Sequence, residues 1–188
     1  MRRTLACMTA REFDPFRLDV EVFAGESGEL AGHWPLRMFR RIGESLAVAP
    51  TDADQVAWSA RGERRALRGD QTQAWLHLQA EGQLALECQR CLKPVNVEIE
   101  FERNFLFVHG EELAAQLDAE TEDDVLAMPR VLDLRELIED ELLLDMPLVP
   151  RHEVCPEPLP VRVDEDLPDD VPNPFAVLAA LKGLKPRN

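Results

Sequence analysis

The chain has 188 residues, 45% of them apolar, with 21 basic and 36 acidic side chains for a net charge of −15. That length is enough for one sizeable core, no apolar run approaches the roughly 18 to 20 residues that span a bilayer, and four irregularly spaced cysteines argue against a disulfide scaffold. The charge is uneven: residues 1–108 carry 14 basic and 16 acidic side chains, residues 109–188 carry 7 and 20. An excess of that kind repels a phosphate backbone at long range and argues against a general RNA-coating protein. It fits a basic partner, or simple solubility.

The opening "MRRTLACMTAREFDPF" imitates a signal peptide, with Arg2 and Arg3 followed by a lipoprotein-like Leu5-Ala6-Cys7. Its apolar stretch stops at Arg11, at the short limit for an h-region. The expectation is a cytoplasmic N-terminus, with Met8 as an alternative start. Alternation at Phe16, Leu18, Val20 and Val22 predicts a strand over 13–23. Pro35 argues against a regular strand within 32–42. From Leu46 onward the pattern is a meander: 55–62, 74–82, 83–89 and 95–108 all alternate with period two. In the last of these Val95, Val97, Ile99 and Phe101 face one way and Asn96, Glu98, Glu100 and Glu102 the other. That suits an antiparallel sheet covered on one side. The run Phe105-Leu106-Phe107-Val108 predicts a bulge or deeper burial.

Residues 110–125 are acidic, with few large apolar side chains, and are expected to be an exposed helix or a loop. "LDLRELIEDELLLDMPLVP" (132–150) predicts a helix, with Asp133 and Glu136 as a capping-box start and an apolar stripe of Leu134, Leu137, Ile138 and Leu142. Arg135 and Glu139 are spaced to pair, and Pro147 ends the helix. Residues 153–172 hold five of the fourteen prolines and seven acids, a linker-like composition. "NPFAVLAALKGLK" then begins a short helix with Asn173 as N-cap and Pro174 at its first position. Phe175, Leu178 and Leu181 line one side, and at that length the helix must dock on something. The expected fold is α+β: an antiparallel β-meander or partly closed barrel, one amphipathic helix packed on it, and a short C-terminal helix. The expected organisation is a sheet-plus-helix domain over 1–150 and an acidic, Pro-rich extension over 151–188.

"LECQRCLKPV" (86–95) carries Cys88 and Cys91 between two strand patterns, which places Cys-x-x-Cys at a hairpin tip. A thioredoxin-type dithiol wants a helix N-terminus, and nothing helical follows Lys93-Pro94. A metal knuckle fits better, because a hairpin turn can aim two thiolates at one tetrahedral ion. The remaining ligands could come from "RHEVCP", so that Cys88, Cys91, His152 and Cys155 form a Cys3His set for zinc. The bland alternative is a pair of partly buried free thiols with His152 an ordinary surface histidine. No His-Glu-x-x-His, phosphate loop, dinucleotide fingerprint or nucleophile elbow is present. The carboxylates of "ELIEDELLLD" are read as a solvated helix face. Arg61, Arg64, Arg65 and Arg68 predict an arginine-rich hairpin loop able to meet RNA phosphates, against the plainer reading of a solvated turn.

Three stretches in order, "LECQRCLKPV", "ELLLDMPLVPRHEVC" and "PNPFAVLAALK", resemble the bacterial YceD family of large ribosomal RNA subunit accumulation proteins, over roughly residues 80 to 185. The resemblance implies a non-enzymatic role in synthesis, processing or stability of 23S ribosomal RNA. It also implies contact with ribosomal RNA or a pre-ribosomal particle, directly or through a basic ribosomal protein or assembly factor. Additional cysteines in the later segment of some relatives fit a metal cluster; this chain has only Cys155 there. Joined to the charge argument, it makes residues 109–188 a protein-binding surface anchored by Phe175, Leu178 and Leu181, with RNA contact by the arginine loop secondary. The competing classes are a zinc- or thiol-dependent enzyme (oxidoreductase or nuclease) and a dedicated chaperone of one basic ribosomal protein.

Overall fold

The computed structural model describes residues 12–66 and 72–157, and the described residues up to Cys155 belong to one compact unit. The architecture is α+β. An open five-stranded mixed sheet runs in the order β1 (Glu29–Pro35), β2 (Gln55–Ala66), β3 (Thr72–Glu87), β4 (Pro94–Val108), β5 (Asp124–Ala127). β1 to β4 are an antiparallel meander, and the sheet does not close into a barrel. β5 joins β4 in parallel, Phe105 opposite Asp124. A parallel neighbour needs a crossover, and the acidic stretch supplies it as helix α3 (Glu111–Asp118).

Two stretches expected as separate strands, 74–82 and 83–89, are one sixteen-residue strand, β3. Gly82 does not break it; a Cβ there would sit 3.3 Å from Val56 Cγ2, so the glycine lets β2 pass close by. The register of β3 against β4 is continuous from Ala74–Phe107 to Glu87–Pro94, so no bulge interrupts it. The apolar run ending β4 is instead buried on both faces. Phe105 and Phe107 enter the main core, while Leu106 packs with Trp75, Ala114 and Val125 under α3 and β5.

The strand expected over 13–23 is not there. Leu18 makes one antiparallel bridge to Leu132, and Val20–Gly25 is helix α1. Asp19 caps it by accepting from the Val22 N–H at 3.1 Å. Val20, Phe23 and Ala24 are its buried residues, a helical spacing that overrides the period-two reading. α1 sits tightly on β2: a Cβ on Gly62 would lie 2.7 Å from the Phe23 carbonyl oxygen, and the Gly62 N–H donates to the Gly28 carbonyl at 2.9 Å. β1 does run up to Pro35, where a proline as last residue of an edge strand breaks no ladder. A 3-10 turn (Leu36–Met38) and the one-turn helix α2 (Arg40–Gly43) follow.

The predicted long helix is α4 (Leu134–Asp145), with Asp133 accepting from the Arg135 and Glu136 N–H groups. Leu134, Ile138 and Leu142 are fully buried on the sheet's apolar face, each contributing about 1.5–3 kcal/mol. Arg135 does not pair with Glu139; it bonds Asp133 at 3.2 Å and lies 3.8 Å from Glu136. Glu139 is 6% exposed and turns inward. Its Oε1 accepts from the Arg41 and Ile42 N–H groups at 2.6 and 3.2 Å, capping α2, while Oε2 faces the Arg41 guanidinium at 3.3 Å.

Candidate metal centre

β3 ends at Glu87 and β4 begins at Pro94, so Cys88 and Cys91 lie in the turn of a hairpin, and a strand rather than a helix leaves it. The turn closes on itself: the Cys88 N–H donates to the Lys93 carbonyl at 3.0 Å, and the Leu92 N–H to the Cys88 carbonyl at 2.8 Å. Leu92 pays for this tight reversal with φ at +59°, in the left-handed region that favours glycine. After α4 the chain returns to the same tip, where the Gln89 N–H donates to the Pro150 carbonyl at 2.9 Å. Residues sixty positions apart in sequence therefore meet.

Their ligand atoms converge. The sulfurs of Cys88, Cys91 and Cys155 and a ring nitrogen of His152 all lie within 4.8 Å of one another, and none of the cysteines is in a disulfide. A tetrahedral zinc at about 2.3 Å from each sulfur brings those sulfurs to about 3.8 Å apart, so small side-chain adjustments suffice to close a shell. His152 is oriented for it: Nδ1 is 3.4 Å from Cys91 Sγ, while Nε2 lies 3.0 Å from the Pro94 carbonyl oxygen. A carbonyl only accepts, so Nε2 carries a proton, and Nδ1 is the ring nitrogen that faces the sulfurs and would serve as the metal ligand.

The electrostatics of Cys88 and Cys91 differ. Burial opposes ionisation of Cys88, but the N–H groups of His152, Arg90 and Cys91 directed at its sulfur outweigh burial and bring it down to about 5. Cys91 is pushed up by burial, only partly relieved by the Lys93 N–H, and further by the neighbouring Cys155 and Cys88 sulfurs. Crowded thiols of this kind resist ionising together unless a cation joins them. The donor set of three sulfurs and one imidazole suits zinc. Arg90, between the two cysteines of the turn, completes the surroundings: Nε donates to Cys155 Sγ at 3.0 Å, and Nη2 to the His152 and Glu153 carbonyls at 2.9 and 3.2 Å. Sequence reasoning passed over Arg90, although it is the lone basic residue between Cys88 and Cys91.

The arginine group is distributed differently from the expectation of a single loop. Arg61, Arg64 and Arg65 belong to strand β2, so alternate residues point to opposite faces. Arg64 donates to the Glu21 carbonyl at 3.1 Å, at α1. Arg65 lies on the other face, 3.0 Å from Glu63 and 4.2 Å from the centroid of Trp75. Arg61 is exposed on the same face as Arg65. Arg68, and the partner-binding set Phe175, Leu178 and Leu181, lie outside the described residues. Among those described, no helix is long and apolar enough to cross a membrane.

An α+β unit whose hairpin tip and post-helix segment bring together a Cys3His donor set defines a class of small sheet proteins with a sulfur-rich knuckle. Comparison with known proteins narrows it. The model of the family described as "Large ribosomal RNA subunit accumulation protein YceD" matches residues 76–182, the stretch from mid-β3 through all four donors. A Haemophilus influenzae protein of that same name is 31% identical over 159 residues, covering 82% of this chain and 87% of that one. The chain belongs to the YceD family. No solved structure matches it.

Proposed function

We propose that this chain is a non-enzymatic, cytoplasmic factor that supports synthesis, processing or stability of 23S ribosomal RNA during assembly of the large ribosomal subunit. The observation that carries this reading is membership of a family described by accumulation of large ribosomal subunit RNA. It acts through protein contacts of its acidic half, residues 109–188, with a basic ribosomal protein or assembly factor. The charge distribution favours this: the half with 20 acids and 7 bases repels RNA and attracts a basic protein. Residues Phe175, Leu178 and Leu181 serve as its apolar anchor. Arg61, Arg64, Arg65 and Arg68 supply a secondary RNA contact, for which the exposure of Arg61 is the best support.

Within this reading Cys88, Cys91, His152 and Cys155 hold a structural zinc. A closed shell of four protein donors leaves no position for substrate, which supports a structural role over catalysis. Against a thiol oxidoreductase stands the burial of Cys88, which is 0% exposed although its thiol is lowered to about 5.

Affinity capture at moderate salt, with and without ribonuclease, tests the proposal together with depletion of the chain. Depletion is expected to lower 23S relative to 16S RNA, and a basic large-subunit protein or assembly factor is expected to stay bound after ribonuclease. Loss of every ribosomal partner on ribonuclease treatment would shift the contact to RNA. Unchanged 23S RNA on depletion would overturn the function.

A further inference from the structure

We propose that Arg90 is a positioning residue of the metal centre, the cation that locks the second half of the donor set, His152 and Cys155, onto the hairpin that carries the first. The proposal rests on the zinc reading above and assigns a role to a residue that is not itself a ligand.

The geometry is that of a clamp. Arg90 leaves the turn between Cys88 and Cys91, so its backbone is fixed by the same two hydrogen bonds that shape the knuckle. Its guanidinium then crosses to the returning segment and makes three contacts there: Cys155 Sγ at 3.0 Å, the His152 carbonyl at 2.9 Å and the Glu153 carbonyl at 3.2 Å. One planar group thus holds a ligand sulfur and the backbone of the ligand histidine together, which a lysine ammonium cannot do with the same reach and fork. The segment it holds is fixed by polar contacts rather than by packing. Val154 is 84% exposed and Leu148 99% exposed, so apolar packing does not position residues 148–155. The Gln89–Pro150 hydrogen bond, the His152–Pro94 contact and the approach of His152 Nδ1 to Cys91 Sγ at 3.4 Å also tie this segment to the hairpin, but none of them reaches Cys155.

Charge points the same way. A zinc ion with three thiolates and a neutral imidazole carries a net charge of −1, and Arg90, itself exposed, brings the assembly to neutrality at the rim of the site. Surrounding hydrogen-bond partners of this kind typically set metal affinity by 10- to 100-fold. Arg90 is therefore the residue through which the knuckle recruits its third sulfur.

Cobalt titration of the full chain, followed by visible absorption, tests this in the wild type, Arg90→Ala and Arg90→Lys, with thermal melts of each protein in the metal-free and zinc-loaded forms. The wild type is expected to give the intense bands of a tetrahedral, thiolate-rich site. Arg90→Ala is expected to bind cobalt 10- to 100-fold more weakly, with weaker sulfur-to-cobalt bands as Cys155 is lost from the shell. Arg90→Lys should recover part of the affinity. The metal-free melts should coincide, with only the zinc-loaded forms diverging; a general folding role would move both. If Arg90→Ala binds cobalt with wild-type affinity and spectrum, or loses metal-free and zinc-loaded stability equally, the clamp is overturned while the zinc reading stands. A wild type that takes up neither cobalt nor zinc overturns both.

Discussion

His152 and Pro94 stand 3.0 Å apart, ring Nε2 to carbonyl oxygen, across the junction between the segment after α4 and the first residue of β4. This pairing leaves Nδ1 facing Cys91 Sγ at 3.4 Å. It is the arrangement in which one imidazole nitrogen is a donor to the main chain and the other is available to a metal.

Removing one donor should therefore cost metal and stability together. Cys91→Ser is expected to drop bound zinc towards zero and to lower the melting temperature, because metal-binding energy in such sites is folding energy. Elemental analysis with thermal unfolding on the same sample checks it. A catalytic thiol would instead leave the melting temperature where it was.

Glu139→Ala should be among the costlier single changes in α4. It strips the acceptor from the Arg41 and Ile42 N–H groups, and Ile42 is fully buried. A loss of about 1–3 kcal/mol is expected from the unpaired backbone donors, the Arg41 guanidinium keeping its partner Asp140. Glu139→Gln, which keeps an oxygen in place, should recover part of it. Urea unfolding measures both.

Two backbone positions carry opposite predictions. Gly62→Ala drives a methyl to 2.7 Å from the Phe23 carbonyl oxygen, and separating α1 from β2 should cost about 1–3 kcal/mol. Leu92→Gly relieves a left-handed leucine that is 67% exposed, and should stabilise the hairpin by up to about 1 kcal/mol. Chemical denaturation separates them by sign.

Glu63 sets an acid limit. Hydrogen bonds from Arg65 and then His77 bring its carboxyl from an ordinary 4.5 down to about 2. The fold thus favours the ionised form: the stabilisation is complete above pH 4.5 and is lost as pH falls towards 2. Glu63→Gln should flatten the stability profile across that window and leave it unchanged near neutrality in slope. Its side chain is 41% exposed, so salt should blunt the effect. Denaturant midpoints at pH 5 and pH 3, in low and high salt, supply the test.

Much of this was legible in the residues. The period-two patterns gave β2, β3 and β4 and the outward row of glutamates, because a sheet with one apolar face writes itself directly into alternation. The hairpin tip followed from Cys88 and Cys91 lying between two such patterns, and α4 from its cap and stripe. What stayed hidden depends on contacts between distant segments. Val20 and Val22 read as part of an alternating run, and the helical set Val20, Phe23 and Ala24 stands out only once the Asp19 cap and the close floor of Gly62 are known. Glu139 looked solvated because nothing local announces that α2 needs an acceptor ninety-odd residues away. The convergence of His152 and Cys155 on the knuckle was suggested by residue inventory alone; the return of the chain after α4, tied by Gln89 to Pro150, is what brings them there.

The most direct test of the sulfur-rich knuckle as a structural centre is the zinc content of the native, full-length chain, measured alongside the reactivity of its thiols. One zinc per chain is expected, with Cys88, Cys91 and Cys155 reacting with a thiol reagent only after a chelator is added. A chain purified in zinc-supplemented buffer that holds no metal, and whose three sulfurs react at once, would contradict the account.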